Sequence, residues 1–170
     1  MIVYLGLGAN LGNREETINK ALELLSEQVG PLIKRSSFFY SKPWGFDSPN
    51  DFCNICASFE TTLPPSALLE TTQSIERQLG RTKKSNLQQR SALTSNSEAA
   101  SSASKVIYSD RSIDIDIILA FDSNGQELSF NFQFSPFDSL IVPHPLMQKR
   151  DFVMLPLQEI APDLHYFTQK

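Results

Sequence analysis

The sequence predicts one α+β domain, a ferredoxin-like sandwich with a mostly antiparallel sheet, helices and an appended hairpin. Two observations predict it. A chain of 170 residues with 41% hydrophobic content can bury one core without disulfides or a structural metal. The predicted elements also follow the order β-α-β-β-α-β before the hairpin. We therefore treat residues 1–170 as a single domain, although this fold serves many functions and does not by itself indicate one.

The first half of the chain is predicted to contain three strands and two helices. IVYLGLG reads as a strand, and a helix follows over NREETINKALELLSEQ, with Asn13 as its N-cap and Glu16 three residues later. Gly30 and Pro31 end that helix. Strands are predicted at 32–40 and 52–62, and a second helix from Pro64 to Gly80.

The second half begins with a serine-rich segment, 85–105, that has no aromatic residue and no periodicity, so we expect a long mobile insertion. SIDIDIILAF is the next predicted strand. Asn124 and Gly125 are expected to turn it into a hairpin with ELSFNFQF, whose three phenylalanines share a face. A short LIV strand, a Pro-His-Pro turn and a helix over about 150–160 complete the domain.

Several function classes are disfavoured. There is no apolar run of the length a membrane span needs and no signal-peptide pattern at the start, so we expect a soluble, cytoplasmic protein. Cys53 and Cys56 form a lone C-x-x-C within a strand, where they would point to opposite faces as buried thiols. The net charge of −4 argues against a general nucleic-acid binder. The glycines of YLGLGANLG lack the dinucleotide-binding spacing, and a tight strand-to-helix turn explains them without a ligand.

The segment SIDIDIIL contains the most informative pattern. Aspartate is rare in strands, yet Asp114 and Asp116 alternate with isoleucines and so share one strand face, about 7 Å apart. Such a pair suits Mg²⁺, which takes one or two carboxylates and completes its shell with water and substrate phosphates. The preceding stretch is basic, and Arg81, Lys83 and Arg111 could neutralise phosphate oxygens. Carboxylates, a metal ion and arginines together are typical of phosphoryl-transfer sites. This combination favours a catalytic site over the simpler interpretation that the two aspartates belong to an exposed polar strand face.

Aromatic residues form a second group. Phe52 and Asn54 have the same parity in their strand, and Trp44 lies in a Pro-Trp-Gly turn just before them. This set could enclose a flat heterocycle and bind its edge through hydrogen bonds, although strand aromatics are more often part of a core.

The chain resembles the 6-hydroxymethyl-7,8-dihydropterin pyrophosphokinase family of folate biosynthesis over essentially its whole length. The matching segments are YLGLGANLGNREETI, SSFFYSKPWG, DFCN, TQSIERQLGR, DRSIDIDIIL, IVPHPLM and KRDFVMLPLQEIAPDL. The most diagnostic are RSIDIDIIL followed by VPHP and then RDF.

The resemblance implies transfer of a diphosphoryl group from ATP to the hydroxymethyl oxygen of the pterin, with release of AMP. By this likeness Asp114 and Asp116 hold two Mg²⁺ ions, and Asp116 is a candidate to help deprotonate the attacking hydroxyl. Arg81 and Arg111 would stabilise the transferring group. The family's ATP contacts map onto Gln73, Glu76, Lys83, Ile117, His144 and Arg150, with Lys83 where an arginine is common. Its pterin contacts map onto Pro43, Trp44, Gly45, Phe52, Asn54 and Phe152, with Phe52 and Phe152 as stacking rings.

The chain departs from the family pattern at several places. The 85–105 insertion falls in the loop that closes over the substrates in the family, Tyr108-Ser109-Asp110 replaces a more usual Trp-Gly-Pro, and Pro145 stands where an aromatic is often found. The chain ends soon after IAPDL, which suggests a trimmed or naturally fused domain, so association with another folate-pathway enzyme is an expectation. The alternative functions are a palm-type Mg²⁺-dependent nucleotidyltransferase, which would release diphosphate, and a non-catalytic RNA-binding module, which lacks its aromatic motif.

Overall fold

The computed structural model describes residues 1–81, 109–135 and 138–168. The predicted insertion at 85–105 and Lys83 therefore lie outside the described residues. The helices are α1 (Arg14–Gln28), α2 (Pro65–Gln78), α3 (Asp151–Ile160) and the short α4 (His165–Thr168), with a 3₁₀ turn at Met147–Lys149. The strands are β1 (Ile2–Ala9), β2 (Leu32–Arg35), β3 (Phe39–Ser41), β4 (Phe52–Glu60), β5 (Asp114–Phe121), β6 (Phe130–Ser135) and β7 (Asp138–Val142).

The main sheet is antiparallel and places β1 at its centre. β1 pairs with β4 on one side and with β5 on the other, while β2 and β3 both pair with the far edge of β4. The predicted strand at 32–40 is thus two short strands. The α+β class is confirmed, and the order β-α-β-β-α-β is consistent with the ferredoxin-like interpretation if β2 and β3 count as one broken strand.

The two faces of this sheet differ, and we call them the helix face and the cleft face. The helix face carries Val3, Leu5, Leu7 and Ala9 of β1, which pack in one apolar core with α1 and α2. On the cleft face, α3 covers only part of the sheet, where it packs against Cys56, Ile118 and Leu119. The rest of that face, around Gly6 and Gly8, stays open as a cleft.

Local sequence features explain several elements. Asn13 caps α1, accepting a hydrogen bond from the Glu16 amide at 3.3 Å as predicted. A register shift between Tyr4 and Leu5 leaves Ile118 as an extra residue on β5, so that Ile118 and Leu119 both pack toward α3. Cys53 and Cys56 are buried on opposite faces, as their parity predicted.

The predicted hairpin between SIDIDIILAF and ELSFNFQF forms next to its turn, but the prediction is wrong for the distal part, FNFQF. The turn at Asn124 and Gly125 forms, with Gly125 at φ 78°, and backbone hydrogen bonds pair residues 120–122 with residues 126–128 across it. β6 pairs instead with β7 as a separate two-stranded sheet. The phenylalanines of β6 do share a face, with neighbouring ring centroids 6.0 Å apart.

The interpretation of the N-terminal glycines also needs correction. Gly6 and Gly8 lie inside β1, and only Gly12, at φ 63°, has a turn conformation that favours glycine. A need for tight turning therefore cannot explain the first two. Within the described part of the chain, no helix is long and apolar enough to cross a membrane.

Candidate active site

A cleft of about 400 Å³ runs across the open part of the cleft face. β1, β4 and β5 form its floor. Its walls come from the segment between β3 and β4, from α2 and Arg81, from the turn after β7, and from the start of α3. The cleft has a charged end at Asp114 and Asp116, and an aromatic end at Phe52 and Phe152.

Two glycines keep the floor of the cleft clear. Gly8 pairs with Asn54 on one side and with Asp114 on the other, so that these three residues form one row across the sheet. A Cβ on Gly8 would lie 2.9 Å from Asn54 Oδ1 and 3.6 Å from the Phe52 ring. Gly6 lies in the next row, opposite Asp116, where a Cβ would approach Ile118 at 3.3 Å. Glycine at these positions leaves space between the amide and the carboxylates.

Asp114 anchors the charged end. Its Oδ1 accepts a hydrogen bond from Arg81 at 2.5 Å, and its Oδ2 accepts one from Arg111 at 2.6 Å. Burial disfavours the charged carboxylate, but the neighbouring charges of Arg111 and Arg81 outweigh it and lower the pKa of Asp114. Asp114 is therefore ionised throughout the physiological range.

Asp116 has the opposite pKa shift although it is only two residues away. Burial and repulsion from Asp114 raise its pKa to about 7, and the more distant guanidinium groups offset this only in part. Among the described residues its ion-pair partner is Arg150, with Nη1 3.5 Å from Oδ2, and its side chain is 38% exposed to the cleft. Of the two aspartates, Asp116 is thus the one that the described residues compensate less.

Glu76 supports this end from α2. Its Oε1 accepts hydrogen bonds from Arg81 and, at 2.7 Å, from the backbone N–H of Ile115, which lies between the two aspartates. Burial and the Asp114 charge raise the pKa of Glu76 to about 7. Glu76 therefore orients Arg81 and holds the edge of β5 in place.

The aromatic end combines rings with one amide. Phe46 and Phe52 meet edge to face at 6.2 Å, while Trp44 and Phe152 lie beside Arg150, with its guanidinium carbon 4.8 Å and 5.7 Å from their ring centroids. Asn54 donates from Nδ2 to Phe39 O and to Ser41 Oγ. Because Phe39 O only accepts, this pairing fixes the orientation of the amide and leaves Oδ1 directed over Gly8. The pocket thus offers apolar faces and one acceptor to a flat ring.

His144 borders the cleft in the turn after β7. Its Nδ1 accepts a hydrogen bond from the Leu146 N–H at 3.2 Å, which places the proton of the neutral ring on Nε2. Burial and the nearby charge of Arg150 lower the pKa of His144 to about 4. The ring is therefore neutral at physiological pH and can donate from Nε2.

The donor set at the charged end fits Mg²⁺. Asp114 and Asp116 present hard oxygen ligands on one face of β5. Among the residues that the structure describes, no three side chains of His, Cys, Asp or Glu form a metal-binding group. Such a pair suits a cation that takes its other ligands from water and phosphates, and does not suit a structural zinc or calcium site.

Most of the residues singled out from the sequence come together in this cleft. Its lining includes Arg81, Arg111, Asp114, Asp116, Gln73, Glu76, Ile117, His144, Arg150, Trp44, Phe52, Asn54 and Phe152. The side chain of Ile117 nevertheless packs in the core on the helix face. Pro43 lines an adjoining groove, and Gly45, at φ 81°, lines neither cavity. Lys83 lies outside the described residues.

Sequence reasoning missed the role of Gly6 and Gly8. Their spacing of two within a strand was the available signal, because it places two residues without side chains on one face. It also missed Phe46, which the sequence alone does not distinguish from a core aromatic.

Together the fold and the cleft define a class, an enzyme that transfers phosphoryl groups to a small molecule containing a flat ring. A family model described as 7,8-dihydro-6-hydroxymethylpterin-pyrophosphokinase matches residues 4–162. A relative from Porphyromonas gingivalis, named 2-amino-4-hydroxy-6-hydroxymethyldihydropteridine pyrophosphokinase, is 42% identical over 164 residues, covering 96% of this chain and 93% of the relative. A relative of the same name from Bacillus subtilis is 34% identical over 94% of this chain and 78% of its own. The chain belongs to this pyrophosphokinase family.

A solved structure agrees on the fold. It is titled as an HPPK-DHPS in complex with substrates and superposes with a TM-score of 0.61 at 15% identity. The match covers 99% of this chain but 41% of that one, so this chain corresponds to about two fifths of the larger protein.

Proposed function

We infer that the chain transfers the diphosphoryl group of ATP to the hydroxymethyl oxygen of 6-hydroxymethyl-7,8-dihydropterin in folate biosynthesis. The membership in the family and the names of the curated relatives support this reaction. The observation that carries the residue assignments is the single cleft that joins a carboxylate–arginine cluster to an aromatic pocket with a fixed amide. We further propose a cytoplasmic location.

The aromatic end would bind the pterin. Phe52 and Phe152 would supply apolar ring surfaces, with Trp44 as a neighbouring wall. Asn54 Oδ1 would accept from an N–H on the polar edge of the pterin, since Nδ2 is already bound to the protein. Space for the ring depends on Gly8, where a side chain would push Asn54 away from this position.

The charged end would bind ATP. Two Mg²⁺ ions held by Asp114 and Asp116 would neutralise and orient its phosphates. Arg81 and Arg111, now paired with Asp114, would exchange this carboxylate for phosphate oxygens and stabilise the transferring group. Gln73, His144 and Arg150 line the same cleft and would donate to the rest of the nucleotide.

In the reaction the hydroxymethyl oxygen forms a bond to the β-phosphorus while the bond from that phosphorus to the α,β-bridging oxygen breaks and AMP leaves. The hydroxyl proton must pass to a base, and Asp116 is a candidate because its raised pKa makes it the better acceptor of the two aspartates. The protein contributes mainly position and charge.

Incubation with ATP, Mg²⁺ and 6-hydroxymethyl-7,8-dihydropterin tests the function. We expect AMP to form only when the pterin is present, in a 1:1 ratio with pterin diphosphate. A nucleotidyltransferase would instead release inorganic diphosphate. Absence of pterin-dependent AMP would contradict the proposed function.

A further inference from the structure

A cluster of hydrogen bonds joins Asp110, Asn10 and Asn50 beside the cleft. Asp110 Oδ1 accepts from Asn10 Nδ2 at 2.7 Å, and its Oδ2 accepts from Asn50 Nδ2 at 2.9 Å. None of these three residues lines the cleft. The two asparagines therefore donate to both oxygens of the Asp110 carboxylate. The cluster lies beside the cleft and would not touch a substrate bound there.

Asn50 connects this cluster to the aromatic end. It belongs to the segment 42–51 between β3 and β4, which forms neither helix nor strand and carries Trp44 and Phe46 into the cleft wall. The end of the segment is held by Asp51, whose carbonyl accepts from Arg14 and whose carboxylate pairs with the exposed Lys42. Asp110 also accepts a hydrogen bond from Ser48, so it tethers the second half of a segment that lacks regular backbone pairing.

Asn10 connects the same cluster to the charged end. Its side chain is 3% exposed, and its Oδ1 accepts from the backbone N–H of Arg111 at 2.8 Å. The backbone N–H of Asn10 in turn donates to Arg111 O at 3.2 Å. These two bonds extend the pairing of β1 and β5 beyond Gly8 and Asp114, and they fix the backbone from which Arg111 reaches Asp114.

We propose that Asp110 is a positioning residue that couples the 42–51 wall of the ring pocket to the backbone of Arg111. Through Asn50 it holds the wall that carries Trp44, and through Asn10 it holds the base of Arg111. Asn10 Nδ2 also donates to Asn50 O, but at 3.4 Å, so ring binding and the placement of that arginine depend mainly on the shorter bonds to the carboxylate. The inference deepens the proposed function and rests on it, because the ring pocket is taken to bind the pterin.

The chemistry of the cluster provides a sharp variant. Both asparagines donate N–H groups, so residue 110 must accept at both positions. Asp110→Asn keeps the shape but places an NH₂ group against one of these donors. The double variant Asp110→Asn with Asn50→Asp exchanges the two partners. The NH₂ group at position 110 then donates to the carboxylate at position 50, and the amide oxygen at position 110 still accepts from Asn10. Asp122→Asn is the matched control, because Asp122 also accepts two hydrogen bonds, in its case from backbone N–H groups within its own turn away from the cleft.

The measurements are KM for the pterin, KM for ATP, kcat and the melting temperature. We expect Asp110→Asn to raise KM for the pterin about tenfold, from the loss of a hydrogen bond to a charged acceptor. Because Arg111 is proposed to stabilise the transferring group, kcat should also fall, while KM for ATP should change less than about twofold. The double exchange should recover most of both losses. Asp122→Asn should leave both KM values unchanged.

Two results would overturn the coupling role. One is an unchanged KM for the pterin in Asp110→Asn. The other is a parallel loss of melting temperature and of both substrates' affinities that the double exchange does not repair, which would make Asp110 a general structural residue. Pterin-dependent AMP formation by the unmodified chain is measured in the same assay, so failure of the proposed function is seen separately.

Discussion

The two faces of the central sheet are built from the same three strands but contain opposite kinds of side chain. On the helix face, β1 presents Val3, Leu5, Leu7 and Ala9, all 2% exposed or less, under two helices. On the cleft face, the alternate positions of the same strand are Gly6 and Gly8, flanked by Asn54, Asp114 and Asp116. The helix face removes apolar surface from water, whereas the part of the cleft face that α3 leaves uncovered keeps polar groups and empty space. The difference predicts that changes on the helix face affect mainly stability, and that changes on the open part of the cleft face affect mainly activity.

A crossed pair of substitutions gives the strongest test of this separation. Asp116→Ala on the cleft face should lower kcat/KM by about a thousandfold, because a charge-binding group at the phosphates is lost. Its effect on the free energy of unfolding should stay within about 1 kcal/mol, since the side chain is partly exposed and relieves repulsion with Asp114. Steady-state kinetics and urea unfolding measure the two quantities.

Leu5→Ala on the helix face should show the reverse. Leu5 is fully buried, so the substitution should cost about 2–5 kcal/mol of unfolding free energy while kcat per folded molecule stays unchanged. If Asp116→Ala instead unfolds the chain, Asp116 is needed for the fold, and the proposed division between the two faces is wrong.

Asp163→Asn is the control for the charge that Asp116→Ala removes, because Asp163 is exposed.

Gly8→Ala should have a smaller effect and one confined to the cleft. The new Cβ would lie 2.9 Å from Asn54 Oδ1, so the amide must move away from its bonds to Phe39 and Ser41. We expect KM for the pterin to rise about tenfold, which corresponds to about 1.4 kcal/mol, with KM for ATP little changed.

Ser58→Ala is the control for Gly8→Ala. Ser58 is buried and lies on the same face of β4 as Asn54, but it does not line the cleft. A Gly8→Ala variant with normal pterin binding would mean that the row from Asn54 to Asp114 does not seat the ring. Unfolding in urea shows whether Gly8→Ala has also lost stability.

The sequence predicted the charged end of the cleft better than its surroundings. Alternation within one strand is a local property, so the shared face of Asp114 and Asp116 followed directly from spacing. The row from Asn54 through Gly8 to Asp114 depends on the pairing of three strands that are far apart in the chain, and no local pattern encodes that register.

The same limit explains the errors in the fold. Asn124 and Gly125 do form a turn, but turn chemistry does not say how far two strands stay paired beyond it, and β6 finds its partner in β7. The asparagine partners of Asp110 are 60 and 100 residues away, so these contacts could not be predicted from the sequence. The aromatic end was recovered mainly through resemblance to the family, since a single strand phenylalanine does not reveal whether it faces a core or a ligand.

A pH experiment on His144 tests whether the cleft face makes its own contribution to acid sensitivity. The folded-state pKa of His144 is lowered from 6.5 to about 4. Between these values the unfolded chain binds a proton that the folded chain does not, so this residue makes stability fall as the pH drops from about 6.5 toward 4. Asp116 and Glu76, with pKa values raised to about 7, act in the opposite direction over most of this window. The total slope therefore does not isolate the histidine.

The difference between the native chain and His144→Asn does isolate it. Asparagine can still accept the Leu146 N–H but does not titrate. We expect the variant to lose less stability between pH 7 and pH 4.5, with a difference of roughly 2–3 kcal/mol for about two pH units at 1.4 kcal/mol per unit. Urea unfolding at a series of pH values measures it. Parallel stability curves for the two proteins would mean that the pKa of His144 is not lowered in the folded chain. The turn after β7 would then not shield the ring from water, and the neutral His144 described for this cleft wall would be wrong.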